Sequence, residues 1–267
     1  IALDAVLVLG LGPVPSLGVA GAAWATAIAF STGAGLLVWS LWRKRGWRQP
    51  ERKHVDDIVR VGAPIGARWL ADVSGWALLT AMLSRLGAAE VAATQMVVRI
   101  IGVSFLPGYG ISEAASIGVG QHVGARRKEA VWRTFWSALL LSTGIMAVFG
   151  LLFWLTPGPV LRLFSSAPDV LSIAGTLMVW AAVFQVLDAL CMTAMGALSG
   201  AADTRFVMFA SMAGMWGVMV PLGWLLGIHL GYGAAGVWAA LTAEITFRGV
   251  VCTWRWMGGA WQKQRLV

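Results

Sequence analysis

The chain has 267 residues, of which 58% are hydrophobic and only 12% are charged, and its mean hydropathy is +0.76. A soluble globular domain carries about 25% charged residues, so the composition excludes an ordinary soluble protein and indicates an all-α, polytopic membrane protein. The net charge of +8 does not indicate a nucleic-acid-binding protein, because the basic residues cluster in short segments between apolar spans.

The apolar segments predict the membrane spans. About 20 consecutive apolar residues cross a bilayer as a helix, which predicts a partial span at 1–11 and seven fuller ones. Several exceed the length that a bilayer requires, so we expect tilt, bending or extension into water. The seven fuller spans lie near 17–42, 57–86, 88–121, 132–156, 170–199, 206–228 and 233–256.

The basic residues predict the orientation of these spans. Of the 20 Lys and Arg residues, fifteen lie in connectors on one side, Arg85 and Arg162 lie on the other, and three lie within spans. Cytoplasmic loops carry the excess of Lys and Arg. We therefore expect connectors 43–56, 122–131 and 200–205 and the C-terminus to be cytoplasmic.

Two segments share the pattern G-x-A-G-x-x-x-A: residues 18–25 and residues 233–240, at an offset of 215 residues. Each begins a predicted span. Runs of small residues pack membrane helices in many contexts, so coincidence is one explanation. A true internal repeat is the other, and repeated halves around a central site are a common plan of transporters. If the repeat is real, we expect the chain to lack about four helices at its front.

Two acidic residues lie near the middle of apolar spans, Asp72 and Asp188. A charged side chain at the centre of a bilayer costs roughly 2.5 kcal/mol or more, so each is a candidate functional residue. Arg68 lies four residues before Asp72 on the same helical face, which favours an internal ion pair as an alternative. Asp188 has no basic residue nearby on its own helix. We expect both to face one cavity and together bind a cation or a proton.

Further polar residues within spans leave structural and functional interpretations open. Glu113 fits either a packing hydrogen bond or a role in gating, and Gln95 fits either a cavity lining or polar contacts between helices. Met192 offers an adaptable surface for ligands, although filling of the core explains it as well. Glu244 and Arg248 have the favourable i,i+4 order, which predicts a structural pair.

Four stretches resemble the MATE (multidrug and toxic compound extrusion) family, and they follow one another in the family's order. Segment 3–26 is similar to its fifth helix and the entry to its sixth, and 62–66 (GAPIG) to the start of its seventh. Segment 107–125, which ends in AASIGVGQHVGA, resembles its eighth-helix signature, and 196–204 (GALSGAADT) resembles the motif that closes its tenth.

The resemblance implies a two-lobed antiporter with six helices in each lobe. It implies that 1–42 is the end of the first lobe, 43–56 a cytoplasmic linker, 57–258 the second six-helix lobe and 259–267 a cytoplasmic tail.

In the NorM-like branch of the family, the resemblance also assigns site residues. Asp72 matches the family's seventh-helix acid, with Asp in place of the usual Glu, and Asp188 matches the tenth-helix acid. Phe184 lies where some relatives have Tyr, which removes a hydroxyl ligand. The acids would hold Na⁺ or H⁺ as the coupling ion, and no cofactor or other metal is expected.

The expected function is secondary active export of cationic or amphipathic small molecules by a monomer in the bacterial inner membrane. The alternative within transport is a flippase for an amphipathic or lipid-linked substrate. An intramembrane enzyme is disfavoured, because the sequence has no HExxH, no GxSxG and no aspartate-rich motif of the prenyl-transfer type. The absence of a GxxxxGK[ST] loop argues against direct coupling to ATP.

Overall fold

A computed structural model describes residues 2–10, 16–45 and 52–263 of the chain. Within these ranges the regular secondary structure is helical and contains no strand, as predicted. The α-helices are α1 Ala2–Leu9, α2 Gly18–Arg45, α3 Arg52–Leu86, α4 Ala88–Gly124, α5 Lys128–Leu155, α6 Pro157–Arg162, α7 Pro168–Gly200, α8 Thr204–Met212, α9 Val220–Gly223 and α10 Gly233–Met257.

The chain forms two compact units, Ile1–Asp56 and Asp57–Val267. In the first unit α1 packs against the start of α2, where the N–H of Leu17 donates to the carbonyl of Leu7 at 3.0 Å. α2 continues to Arg45 and α3 begins at Arg52, so both helices extend into the segment 43–56 expected to be a connector. The lobe boundaries stay a prediction.

Six of the described helical segments are long and apolar enough to cross a membrane. They match six of the seven fuller predicted spans. The exception is 57–86: it lies within the 35-residue helix α3 but is not among the six. Charged residues such as Arg60, Arg68 and Asp72 lower its hydropathy. α1, which covers most of the partial span at 1–11, is only 8 residues long.

The two copies of the sequence repeat adopt the same local structure. Gly18 begins α2 with φ 53° and Gly233 begins α10 with φ 61°, a left-handed conformation that favours glycine. Three residues later each copy has a second glycine, which lies in close contact with the backbone of the preceding segment. A Cβ on Gly21 would overlap the carbonyl of Leu7, and one on Gly236 would lie 2.6 Å from the carbonyl carbon of Leu226. This likeness favours a true repeat over coincidence.

α7 is the central helix of the second unit and packs against α4, α5 and α10. Small residues allow the close crossing with α4: a Cβ on Gly196 would lie 2.5 Å from Oγ of Ser112, whose hydroxyl donates to the carbonyl of Met192 at 2.7 Å. On the α5 side, the hydroxyls of Ser142 and Thr193 are 2.8 Å apart. Small residues and interhelical hydrogen bonds are the usual means of packing helices in lipid.

The helical segment Thr204–His229 is not uniformly α-helical. Two π-helical stretches, Ala213–Met219 and Trp224–His229, flank the short α9. A π turn inserts an extra residue into the helix and rotates the side chains around it, and such turns are frequent at functional sites. The first π stretch places Gly214 and Met215 against the interior of the second unit, where both are buried.

Candidate functional site

A cavity of about 430 Å³ lies inside the second unit, between α3, α4, α7 and α10. Met215 of the first π stretch also contributes to its wall. The lining is largely apolar and includes five aromatic residues besides Phe184. These are Trp69 and Trp76 of α3, Phe105 and Tyr109 of α4, and Trp238 of α10.

The structure brings together six of the seven predicted site residues. The six that line the cavity are Asp72, Arg68, Glu113, Phe184, Asp188 and Met192. Gln95 does not line it: its side chain is exposed, three residues before Val98, the nearest lining residue of α4. Of the two interpretations left open for Gln95, the cavity lining is not supported: Gln95 lies on the same helical stripe as Val98 and Gly102, but closer to the start of α4 than any lining residue of that helix.

Asp188 is the most deeply buried of the predicted acids. It lies near the middle of α7, and only 5% of its surface is exposed. Among the residues that the structure describes, none donates a hydrogen bond or forms an ion pair with its carboxylate, although Arg248 and Glu244 act on it electrostatically. Burial of an unpaired carboxylate costs free energy, so Asp188 needs a proton or a cation to compensate its charge.

The partner of Asp72 comes from another helix and is not Arg68, the alternative that the sequence left open. Oδ1 of Asp72 lies 3.3 Å from Nη1 of Arg248, which comes from α10, 176 residues further along the chain. Arg68 instead places its guanidinium over the ring of Trp69, 5.4 Å from the centroid. The alternative of an i−4 ion pair with Arg68 is therefore wrong, because the carboxylate of Asp72 contacts the guanidinium of Arg248 from α10.

The predicted pair of Glu244 and Arg248 is confirmed, but it does not stand apart from the site. Nε of Arg248 lies 3.0 Å from Oε1 of Glu244, and Nη2 donates to Oε2 at 3.1 Å. The side chain of Glu244 is fully buried. Both residues line the cavity, so Arg248 joins Glu244 of its own helix to Asp72 of α3.

Two pairs of aromatic side chains contribute to the cavity wall. Phe105 and Tyr109 are stacked with centroids 5.9 Å apart and are more than a third exposed. Phe184 is buried and meets Trp238 edge-on at 6.4 Å. Such rings offer a hydrophobic surface, and their faces attract cations.

The sequence reasoning missed Glu244 and Arg248 as members of the site. Their i,i+4 spacing accounts for both charges within one helix, so the sequence gives no reason to expect a partner on another helix. One signal was present: the pair lies near the centre of the 25-residue helix α10, at a depth where ionisable residues are usually functional.

The described residues contain no group of three or more His, Cys, Asp or Glu that could hold a metal ion. Asp72, Asp188 and Glu244 share one cavity, but Arg248 occupies the space beside two of them. A role for Asp72 and Asp188 in holding Na⁺ thus stays a prediction.

The family model MatE matches residues 64–225, which include α4, α5 and α7 and most of the cavity wall. The chain belongs to the MATE family. The resemblance drawn from the four sequence stretches is thereby confirmed, and so is the all-α, polytopic membrane architecture.

Relatives with similar sequences support this family assignment. The chain is 34% identical over 260 residues to the probable multidrug resistance protein NorM of Deinococcus radiodurans, covering 94% of the chain and 57% of that protein. It is 32% identical over 217 residues to the probable NorM of Brucella suis, covering 79% of the chain and 46% of the relative. It thus spans about half the length of the curated relatives it matches.

A solved outward-facing structure of a multidrug resistance MATE family transporter of the MOP superfamily superposes with a TM-score of 0.85. The match covers 99% of the chain and 60% of that protein at 22% identity. At this identity the match supports the fold, while the cavity must be interpreted from the residues of this chain.

Proposed function

We propose that the gene product containing this chain is a multidrug efflux antiporter that exports cationic or amphipathic small molecules in exchange for Na⁺ or H⁺. The observation that carries the proposal is Asp188, a buried carboxylate on the wall of a roughly 430 Å³ cavity, with no hydrogen bond or ion pair from a described residue. The names of the NorM relatives support the same class of function.

Exchange follows from competition for the carboxylate of Asp188. When a proton or Na⁺ compensates its charge, a second cation gains little there. When the coupling ion leaves, the bare carboxylate attracts a cationic ligand. Each ligand then favours the state in which the other is absent, and this reciprocity couples two fluxes.

The walls of the cavity fit a ligand with a cation and an apolar body. Arg68 and Arg248 are outnumbered by four carboxylates, those of Asp72, Glu113, Asp188 and Glu244, so at full ionisation the described lining is net negative. Met192 and Met195 belong to the same wall, and flexible methionine side chains adapt to differently shaped ligands.

The proposed process is transport without covalent chemistry, in keeping with a family of transporters, and it requires no cofactor beyond the coupling ion. We place the protein in a bacterial inner membrane, as a monomer, with its C-terminus in the cytoplasm. The basic connectors support this orientation.

The test is export of the fluorescent cation ethidium by cells that express the whole gene product. Asp188→Asn should abolish ion-driven export at equal expression. Asp169→Asn is the matched control: Asp169 is exposed in the first turn of the same helix, outside the cavity lining. Export at the wild-type rate by Asp188→Asn would refute the proposal.

Asp72→Asn should reduce export less than Asp188→Asn does. Arg248 keeps its partner Glu244 in that variant, so no buried charge loses its last counter-ion. The initial rate of export at several ethidium concentrations separates a change in apparent affinity from a change in maximal rate. Complete loss of export in Asp72→Asn, with Asp188→Asn unaffected, would reverse the proposed roles.

A further inference from the structure

Arg248 is a positive charge fixed within a cavity that we propose takes up cations. Its guanidinium touches two carboxylates at once, Glu244 on its own helix and Asp72 on α3. It also acts electrostatically on Asp188. A charge in this position occupies carboxylates that an entering cation would otherwise contact.

The two contacts of Arg248 are unequal. Glu244 is approached by two guanidinium nitrogens, at 3.0 and 3.1 Å, and its side chain is fully buried. Asp72 is approached by one nitrogen, at 3.3 Å, and 19% of its side chain is exposed. Of the two nitrogens, Nη2 donates a hydrogen bond to Glu244, whereas Nε and Oε1 are at ion-pair distance without a hydrogen bond. Attraction between opposite charges strengthens as their distance shortens and as water is excluded, so the shorter and fully buried contact is the stronger one. Arg248 is therefore firmly held by Glu244 and more weakly held by Asp72.

Asp72 can consequently exchange partners while Arg248 stays in place. Asp72 borders the cavity and belongs to α3, whereas Arg248 and Glu244 move together because they share α10. Separation of Asp72 from Arg248 leaves the guanidinium with one counter-ion, so no buried charge is stranded. The freed Asp72 carboxylate then faces the cavity.

We propose that Arg248 is a tethered internal cation that competes with the entering organic cation for Asp72 and thereby sets the affinity of the cavity for cations. This inference rests on the proposed function and adds a specificity-determining residue to it. It makes Arg248 the resting partner of Asp72: their contact breaks when ligand binds and forms again when ligand leaves, while Arg248 stays paired with Glu244.

The test is the dissociation constant of tetraphenylphosphonium for the purified whole gene product, measured by equilibrium dialysis. In Glu244→Gln/Arg248→Gln the pair becomes neutral, the net charge of the cavity is unchanged, and the two amides can still hydrogen-bond. Affinity should increase about tenfold, the factor expected for one lost charge-assisted contact. Adding Asp72→Asn to this double variant should reverse the increase.

Arg248→Lys gives a second measurement that keeps every charge. Lysine lacks the planar fork that contacts two carboxylates together. Held by Glu244, it should compete less for Asp72, so affinity should increase by about threefold, part of the factor expected for the lost contact. This variant decides the question if the neutral double variant fails to fold.

The matched control is Asp203→Asn/Arg255→Gln, which neutralises another ion pair that involves α10. Nε of Arg255 lies 2.8 Å from Oδ2 of Asp203, and neither residue lines the cavity. Its dissociation constant should equal that of wild type.

Unchanged or weaker binding in both Arg248 variants would overturn the inference, as would a gain in affinity that Asp72→Asn does not reverse. If wild type exports ethidium and Asp188→Asn does not, while the Arg248 variants bind as wild type does, only the inference fails. If wild type neither binds the cation nor exports it, the proposed function fails as well.

Discussion

Gly214 lies directly against the carboxylate of Glu244. A Cβ built on Gly214 would sit 2.8 Å from Oε1 of Glu244, closer than a carbon normally approaches. Gly214 belongs to the first π stretch, so the irregular backbone of one helix lies against the acid that holds Arg248. The orientation of the Glu244 carboxylate therefore depends on the absence of a side chain at position 214.

Gly214→Ala should displace Glu244 and weaken its hold on Arg248. Overpacking of a buried site costs roughly 1–3 kcal/mol, so we expect a lower unfolding temperature in detergent. Gly217→Ala is the matched control, since it lies in the same π stretch and a Cβ there would meet nothing within 4 Å. Equal stability of the two variants would contradict the close packing of Gly214.

Gly200→Ala should disrupt the crossing of α7 with α4. A Cβ on Gly200 would overlap the backbone of Ser116, which cannot rotate away as a side chain can. We expect a loss of at least about 2 kcal/mol, or failure to accumulate in the membrane. Gly175→Ala on the same helix meets nothing within 4 Å and should be nearly neutral. Thermal unfolding and expression level measure both, and wild-type stability of Gly200→Ala would contradict this prediction.

Glu90→Ala should destabilise the start of α10. The N–H of Ala234 donates to Oε2 of Glu90 at 3.0 Å, so a carboxylate from α4 caps the N-terminus of a helix 144 residues away. Loss of a capping acceptor and its charge costs about 1 kcal/mol. Glu90→Gln keeps an acceptor and should lose less. An unfolding temperature of Glu90→Ala equal to that of wild type would show that the cap contributes nothing.

A fluorescent protein fused after Val267 should be active and alkaline phosphatase fused there should be inactive, because we expect this end of the chain to lie in the cytoplasm. Insertions near Arg162 should give the opposite result. The physical reason is the strong bias of Lys and Arg toward one set of connectors. Paired fluorescent-protein and alkaline-phosphatase fusions at both positions provide the measurement. Phosphatase activity at the C-terminus would invert the predicted topology.

The sequence by itself was enough for the membrane architecture. A stretch of apolar residues must satisfy its backbone internally in lipid, so its length predicts a helix without knowledge of its neighbours. Six of the predicted spans are described helices that are long and apolar enough to cross a membrane. The glycine pattern at 18–25 and 233–240 was also informative, because left-handed backbone and close approach both require glycine locally.

The acids could be recognised from the sequence, but their partners could not. Asp72 and Asp188 stood out because a charge within an apolar span is costly, whatever surrounds it. Local spacing paired Asp72 with Arg68, since the i,i+4 rule sees only one helix. The contact with Arg248 spans 176 residues and depends on how α3 and α10 pack around the cavity. Only the tertiary structure could decide it, because hydrogen bonds between helices depend on distances of a few tenths of an ångström that residue spacing does not encode.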